Sequence, residues 1–385
     1  MALAALAFAA GIFLASGLSG IRFITAVCLF VLAGATAALF KQRDTLIAAA
    51  ALLAGLLRAY AAGRLFAPVP DLAFFERIRE ALLAQTNELF GANAATISAM
   101  LWGDKSGLAY DALSAFRTAG IAHIFALSGL HVSFFAAALA LLFRKSSNRL
   151  RFIITAAFVF LYCAVCAFPA SLVRASVMTV CVLFAPLANR RADMLSSLSF
   201  AAIVILLFSP AQLGEAGFLM SVSAVYGIAL FSRRLASRLA PIGRAGAESA
   251  ALSLSASFGV LPLTVYFFKR VPVFSLPANL LMLPLVPVAV LCGFIGVLIS
   301  FIWSGLGVPF VWASGFCIDA LTHISGLVAR LPGAMLYVPA FSPLLCGAIY
   351  AAMAVISPLC LLSAKNKAYI CAALIACGFI LGLVV

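Results

Sequence analysis

Charge is what this sequence has least of. Only 9% of its 385 residues are Asp, Glu, Lys or Arg, where a soluble domain needs roughly 25% to face water. Just 11 residues are acidic and three are histidines. The catalytic and nucleotide-binding patterns that use such residues are missing too. No H-x-x-x-H, H-E-x-x-H or H-x-H-x-D-H string occurs, so no zinc or two-metal hydrolase pattern is present. No G-x-S-x-G marks a nucleophile on a strand-to-helix turn. No G-x-x-x-x-G-K-[ST] marks an ATP site. Internal repeats and low-complexity linkers are absent as well. The reading is of a chain that is not an enzyme and needs no cofactor or metal.

What fills the chain is apolar. Hydrophobic residues make up 66%, and the mean hydropathy is +1.21. A chain this apolar cannot cover itself with polar side chains, and lipid is the solvent that makes it sensible. Runs near the ~20 residues that one crossing needs recur between short polar breaks. The fold class is therefore all-α: a polytopic transmembrane helix bundle of about 11–13 spanning segments, some broken or re-entrant.

Basic breaks organise these runs. They fall at Lys41 and Arg43; at Arg144, Lys145, Arg149 and Arg151; at Arg190 and Arg191; at Arg233, Arg234, Arg238 and Arg244; and at Lys365 and Lys367. Placing all five in the cytoplasm follows the positive-inside rule, which alone explains much of the net charge of +14. Residues 1–66 then hold three N-terminal helices, and 67–120 lie on the outer side. Residues 121–385 form the main transmembrane domain. Its first crossings are expected near 121–143, 152–168, 171–188, 194–209 and 215–231. Lys269 and Arg270 fall on the outer side, the weakest point of this topology.

Two segments break the apolar rhythm. In 67–120, Phe75, Ile78 and Leu82 share a helical face opposite Arg77 and Glu80. This suits either an interfacial helix or one that packs on the rim of the bundle. Two short helices should follow, split at Gly103–Gly107, the second capped by Asp104 or Ser106. In 271–290, Pro272, Pro277, Pro284 and Pro287 cannot all sit in one unbroken helix. That stretch is expected to break beside a pathway.

Polar residues inside apolar runs are expensive and usually face a bundle interior or water. AHIFALSGLHVSFF carries His123, Ser128, Gly129 and His131, with the histidines about two helical turns apart. Arg174 lies in FPASLVRASVMTV, and Glu215 or Asp319 could pair with it. Gly214, Gly217, Ser221 and Gly227 permit close helix approach. Pro262 bends a serine-rich helix, and Asn279 sits in the proline-rich break. Cys163 and Cys166 form a C-x-x-C without further metal ligands nearby, and read as helix filler.

Taken in order, MLWGDKSGL, AGIAHIFALSGLHVSFF, PASLVRASVM, NRRADMLSSLSFA, SPAQLGEAGFLMSVSAV and LPLTVYFFKRVPVFSLPANLLMLPLVP resemble the competence domain of the ComEC family. Carried over, the signature positions are Gly103, Asp104, His123, Ser128, Gly129, Leu130, His131, Arg174, Arg191, Gly217, Phe218, Ser221, Pro262 and Asn279. Of these, His123, Ser128, Gly129, His131, Arg174, Pro262 and Asn279, with Glu215, are candidates for a pathway or gate. Gly103, Asp104, Leu130, Arg191, Gly217, Phe218 and Ser221 are read as structural. The resemblance implies an inner-membrane channel that passes single-stranded transforming DNA into the cytoplasm. It also implies a minimal form without the OB-like and metallo-β-lactamase-like domains of longer relatives. A motor, a nuclease and an outer DNA-binding protein would then be separate partners in or beside the lipid bilayer. A small-molecule or ion-coupled transporter is the alternative reading, since broken helices with buried His, Arg and Glu also suit one.

Overall fold

The computed structural model describes residues 73–189, 194–339, 341–356, 366–367 and 369–375. The three helices expected within 1–66, and the basic positions Lys41, Arg43, Arg190, Arg191 and Lys365, lie outside the described residues. The fold is all-α. Helices α1 (Ala73–Phe90), α2 (Ala94–Trp102), α3 (Tyr110–Thr118), α4 (Gly129–Leu142), α5 (Asn148–Val165) and α6 (Ala170–Phe184) come first. Then follow α7 (Met194–Phe208), α8 (Ala216–Leu239), α9 (Arg244–Phe268), α10 (Ser275–Met282), α11 (Leu285–Ser300), α12 (Ser304–Ala329) and α13 (Pro343–Ile356). Two three-residue strands, β1 (Arg270–Pro272) and β2 (Met335–Tyr337), pair with each other.

Among the described residues, four helices are long and apolar enough to cross a membrane: α5, α8, α9 from Gly246, and α12. The pair α10–α11 passes the same test together, with a 45° bend between its halves. The expected break is therefore present. Pro284 stands just before α11 and Pro287 in its first turn, where a missing N–H costs no helix bond. Helices α4, α6, α7 and α13 are apolar but shorter. Exposed Ile302, Trp312 and Phe316 suit a lipid-facing exterior.

Three expectations change. The run 121–143 is not one helix: residues Ala122–Phe125 form a 3-10 turn, and α4 starts only at Gly129. Ser128 is extended (φ −132°, ψ 178°), which ends any continuation from the turn. Arg233, Arg234 and Arg238 are not a loop but ride, exposed, on the last turns of α8. Neither Asp104 nor Ser106 caps α3, whose N-cap is Ala109; the Asp104 carboxylate instead accepts from the Ser106 N–H at 3.1 Å.

By contacts the chain divides into two compact units. The first holds the described residues of 194–271 and 337–375, and the second those of 73–189 and 272–336.

In the first unit α8 packs along α9. A Cβ on Gly227 would collide with the Ser255 carbonyl and reach the Gly259 Cα at 2.8 Å, so only glycine allows this approach. Pro262 removes a donor from α9. Carbonyls on that turn find donors on α13: Tyr350 Oη donates to the Gly259 carbonyl at 2.8 Å, and the Cys346 thiol to the Pro262 carbonyl at 3.5 Å. Phe218 is buried and Ser221 half-buried. Gly214 and Gly217 differ from expectation: among the described residues, nothing lies within 4 Å of a Cβ at either.

In the second unit one continuous apolar core runs from Leu82 of α1 to Leu321 of α12. Packed against it, partly buried Phe294 of α11 meets Trp102, Phe135, Phe158 and Tyr162 at ring-centroid distances of 4.8–6.2 Å. The face of α1 bearing Phe75, Ile78 and Leu82 packs on this core, which favours the packing-helix reading of that segment. Asn93 donates to the exposed Asp319 carboxylate at 2.8 Å.

Candidate functional site

Three of the sequence motifs meet in the second unit. The first is the end of α2. Gly103 has φ +72°, the left-handed turn that glycine adopts without strain, and its N–H and that of Asp104 both bond the Ser98 carbonyl. A Cβ there would come within 2.9 Å of Leu127 Cδ1, so glycine also makes room for the second motif. Asp104 folds back on the Ser106 backbone and hydroxyl, which hold its carboxyl below the usual carboxylate range.

The second motif is the corner before α4. The Ser128 N–H donates to His131 Nδ1 at 3.3 Å, and the Ser128 hydroxyl lies 3.4 Å from the same nitrogen. A ring nitrogen that accepts an N–H carries no proton, so neutral His131 bears its proton on Nε2. That Nε2 is buried and unpartnered among the described residues. His131 is therefore a local lock on the helix start with one spare donor. His123 is exposed on the 3-10 turn, and without a continuous helix the two histidines do not share a helix face. Leu130 is half-buried against the core.

The third motif is α6 and the turn into it. Ala167 (φ 60°) and Phe168 (φ 50°) are both left-handed, a conformation that costs each non-glycine residue about 1–2 kcal/mol. Two bonds hold the turn: Ala167 N–H to the Ala164 carbonyl at 3.1 Å and Phe168 N–H to the Cys163 carbonyl at 2.8 Å. Strain of this kind persists only where surrounding packing over-determines it, and such corners cluster at functional sites. One turn later, Ser171 Oγ donates to the Leu127 carbonyl at 2.6 Å, and a Gly129 Cβ would sit 3.7 Å from Ala175. These contacts dock α6 onto the SGLH corner.

Arg174 is 2% exposed. Its Nη2 reaches only the Ser171 carbonyl at 3.4 Å, and Nη1 has no partner among the described residues. Glu215 is exposed and belongs to the other unit. Asn279 on α10 is buried, and its Oδ1 is likewise unpartnered among the described residues. Cys163 lies 3.1 Å from Ser176 Oγ, and the Cys166 thiol donates to the Leu101 carbonyl at 3.8 Å. Among the described residues no group of three His, Cys, Asp or Glu is placed to hold a metal.

Where the three motifs meet there is a cavity of about 160 Å³. Gly103 and Lys105 line it from the first motif, Ala126 and Leu127 from the second, and Pro169 and Ser171 from the third. Trp102, Phe125, Cys166 and Arg79 of α1 complete it. Sequence reasoning missed Arg79 and Lys105. No local pattern marks either one, and only the fold brings them to one cavity.

The comparisons with known proteins fit these motifs. The family model for "Competence protein" matches residues 100–363. ComE operon protein 3 of Bacillus subtilis (strain 168) is 29% identical over 234 residues, covering 60% of this chain and 30% of that relative's length. No solved structure matches the chain. The family match takes in the G-D turn, the SGLH corner, the buried arginine and the proline-broken helix, and the chain belongs to the ComEC family of competence proteins.

Proposed function

We propose that the chain is the membrane channel through which single-stranded DNA enters the cytoplasm during natural competence. It is a multi-pass protein of the bacterial inner membrane with its basic breaks and the arginine-bearing end of α8 inside and residues 67–120 outside. It performs no catalysis of its own. The observation that carries this reading is Arg174, a buried guanidinium inside the competence match whose Nη1 has no partner among the described residues. A cation in a membrane helix is costly unless paired or hydrated. Left free, it suits a path for a polyanion. The 45° break between α10 and α11 supports the reading, because irregular backbone at membrane depth is tolerated where it lines a watery cavity. A separate cytoplasmic motor pulls the strand. A nuclease and an outer DNA-binding protein are further partners.

The test uses a transformable host that carries the gene. Deletion should leave labelled DNA outside the cytoplasm and abolish transformants, and Arg174→Ala should reduce transformants at least tenfold with the protein still inserted. Loss of folded protein in Arg174→Ala would assign the residue a structural role instead. Unchanged transformation in the deletion strain would favour a small-molecule or ion-coupled transporter, which the broken helix also suits.

A further inference from the structure

We infer that the cavity at the junction of the three motifs is a phosphodiester site, where Arg79 and Lys105 hold one backbone phosphate of the strand. This rests on the channel reading and specifies where the strand is first gripped.

Charge and hydrogen bonding point to an anion. Two cationic side chains line the cavity, and no carboxylate does. Asp104 is not on its wall: the carboxylate accepts from Ser106 and feels the Arg79 charge only as its weakest influence. Arg79 Nε is buried with no partner among the described residues, a donor without an acceptor. Lys105 is pushed below the usual lysine range, first by desolvation and then by the like charge of Arg117. An ammonium in that setting gains from an arriving anion.

The other polar groups on the wall are already engaged. Ser171 Oγ donates to the Leu127 carbonyl, Trp102 Nε1 to Thr86 Oγ1 at 3.0 Å, and the Cys166 thiol to the Leu101 carbonyl. The Arg79 Nε donor and the Lys105 ammonium are left to meet a ligand.

Size and shape fit as well. A volume of about 160 Å³ far exceeds the ~10–15 Å³ that one water needs. It admits a phosphate group with its two ester oxygens. The lining residues Trp102, Phe125 and Leu127 are buried and apolar, so an ion pair formed beside them is less screened than one in open water. The strained Ala167–Phe168 corner leads directly into Pro169 and Ser171, which also line the cavity.

The experiment uses the full chain in nanodiscs of phosphatidylcholine, with fluorescein-labelled oligo(dT) followed by anisotropy at graded salt. Arg79→Gln with Lys105→Gln should weaken binding roughly tenfold and lower the salt slope by about 0.7, the value for one phosphate no longer neutralised on a single strand. The charge-conserving Arg79→Lys with Lys105→Arg should restore most of the affinity. Arg77→Gln, an exposed neighbour on α1, should change neither quantity. An unchanged slope in a monodisperse double Gln variant would overturn the site and leave the channel reading standing. So would wild-type discs that bind no oligo(dT) while gene deletion still blocks uptake. Phosphatidylglycerol discs that, at matched salt, bring wild type down to the double Gln level without weakening the double Gln variant itself would assign the cavity to a lipid headgroup. If deletion leaves uptake intact, the channel reading itself fails.

Discussion

The two units solve the same packing problem in opposite ways. The second builds a core from large side chains, with Phe294 set among Trp102, Phe135, Phe158 and Tyr162. The first brings backbones together at Gly227 and Gly259, and ties α9 to α13 through carbonyls near Pro262. Lipid tails are as apolar as leucine, so burial alone does not drive membrane helices together. Close packing does, through large interlocking rings or through no side chain at all. The three motifs that surround the cavity all lie in the ring-packed unit. Its rigid core supports the strained corner and the locked start of α4.

The comparison can be broken from either side. Phe294→Ala should cost the second unit about 3 kcal/mol, the low end for a buried Phe, because Phe294 is only partly buried. Limited proteolysis in detergent should then cut within 73–189 or 272–336 first. Cleavage of both units at the same denaturant concentration would mean that they do not differ in how they are held. Next in size is Gly259→Ala, whose Cβ would meet the Ser223 carbonyl and Gly227. Overpacking of about 1–3 kcal/mol should appear as early proteolysis of 194–271, with oligo(dT) binding intact. Wild-type proteolysis of that variant would show that α8 and α9 can part cheaply.

The smallest effect sharpens the description of the G-D turn. The folded Asp104 carboxyl is held low by Ser106, so its contribution is present above the ordinary carboxylate range and is lost as pH falls through its folded value. Asp104→Asn should lower stability slightly at neutral pH, leave it unchanged below the folded value, and so flatten the acid limb of a stability–pH curve. An acid limb identical to wild type would show that the turn does not depend on that charge.

Particular residues show how far the sequence could be read. The split at Gly103–Gly107 and the break in the proline-rich stretch were legible, because glycine and proline act on their own backbone. The motif order was legible too, and it led to the family. Helix ends were less so: a single Ser–Gly pair divided the apolar run at 121–143, and the arginines after residue 231 stayed helical. Gly217 looked like a contact glycine, yet nothing among the described residues approaches it. Spacing tells that a small residue is present, not what faces it.

By itself the sequence determined the solvent, the helical class and the family. These follow from composition and from residues that act locally. Tertiary structure decided what is buried beside what. It set His131 as the lock of a helix start, left Arg174 Nη1 unpartnered among the described residues, and brought Arg79 and Lys105 to one cavity. The reason is separation along the chain: Arg79, Lys105 and Ser171 lie on segments that no local rule connects, and only packing of the helices between them fixes their meeting.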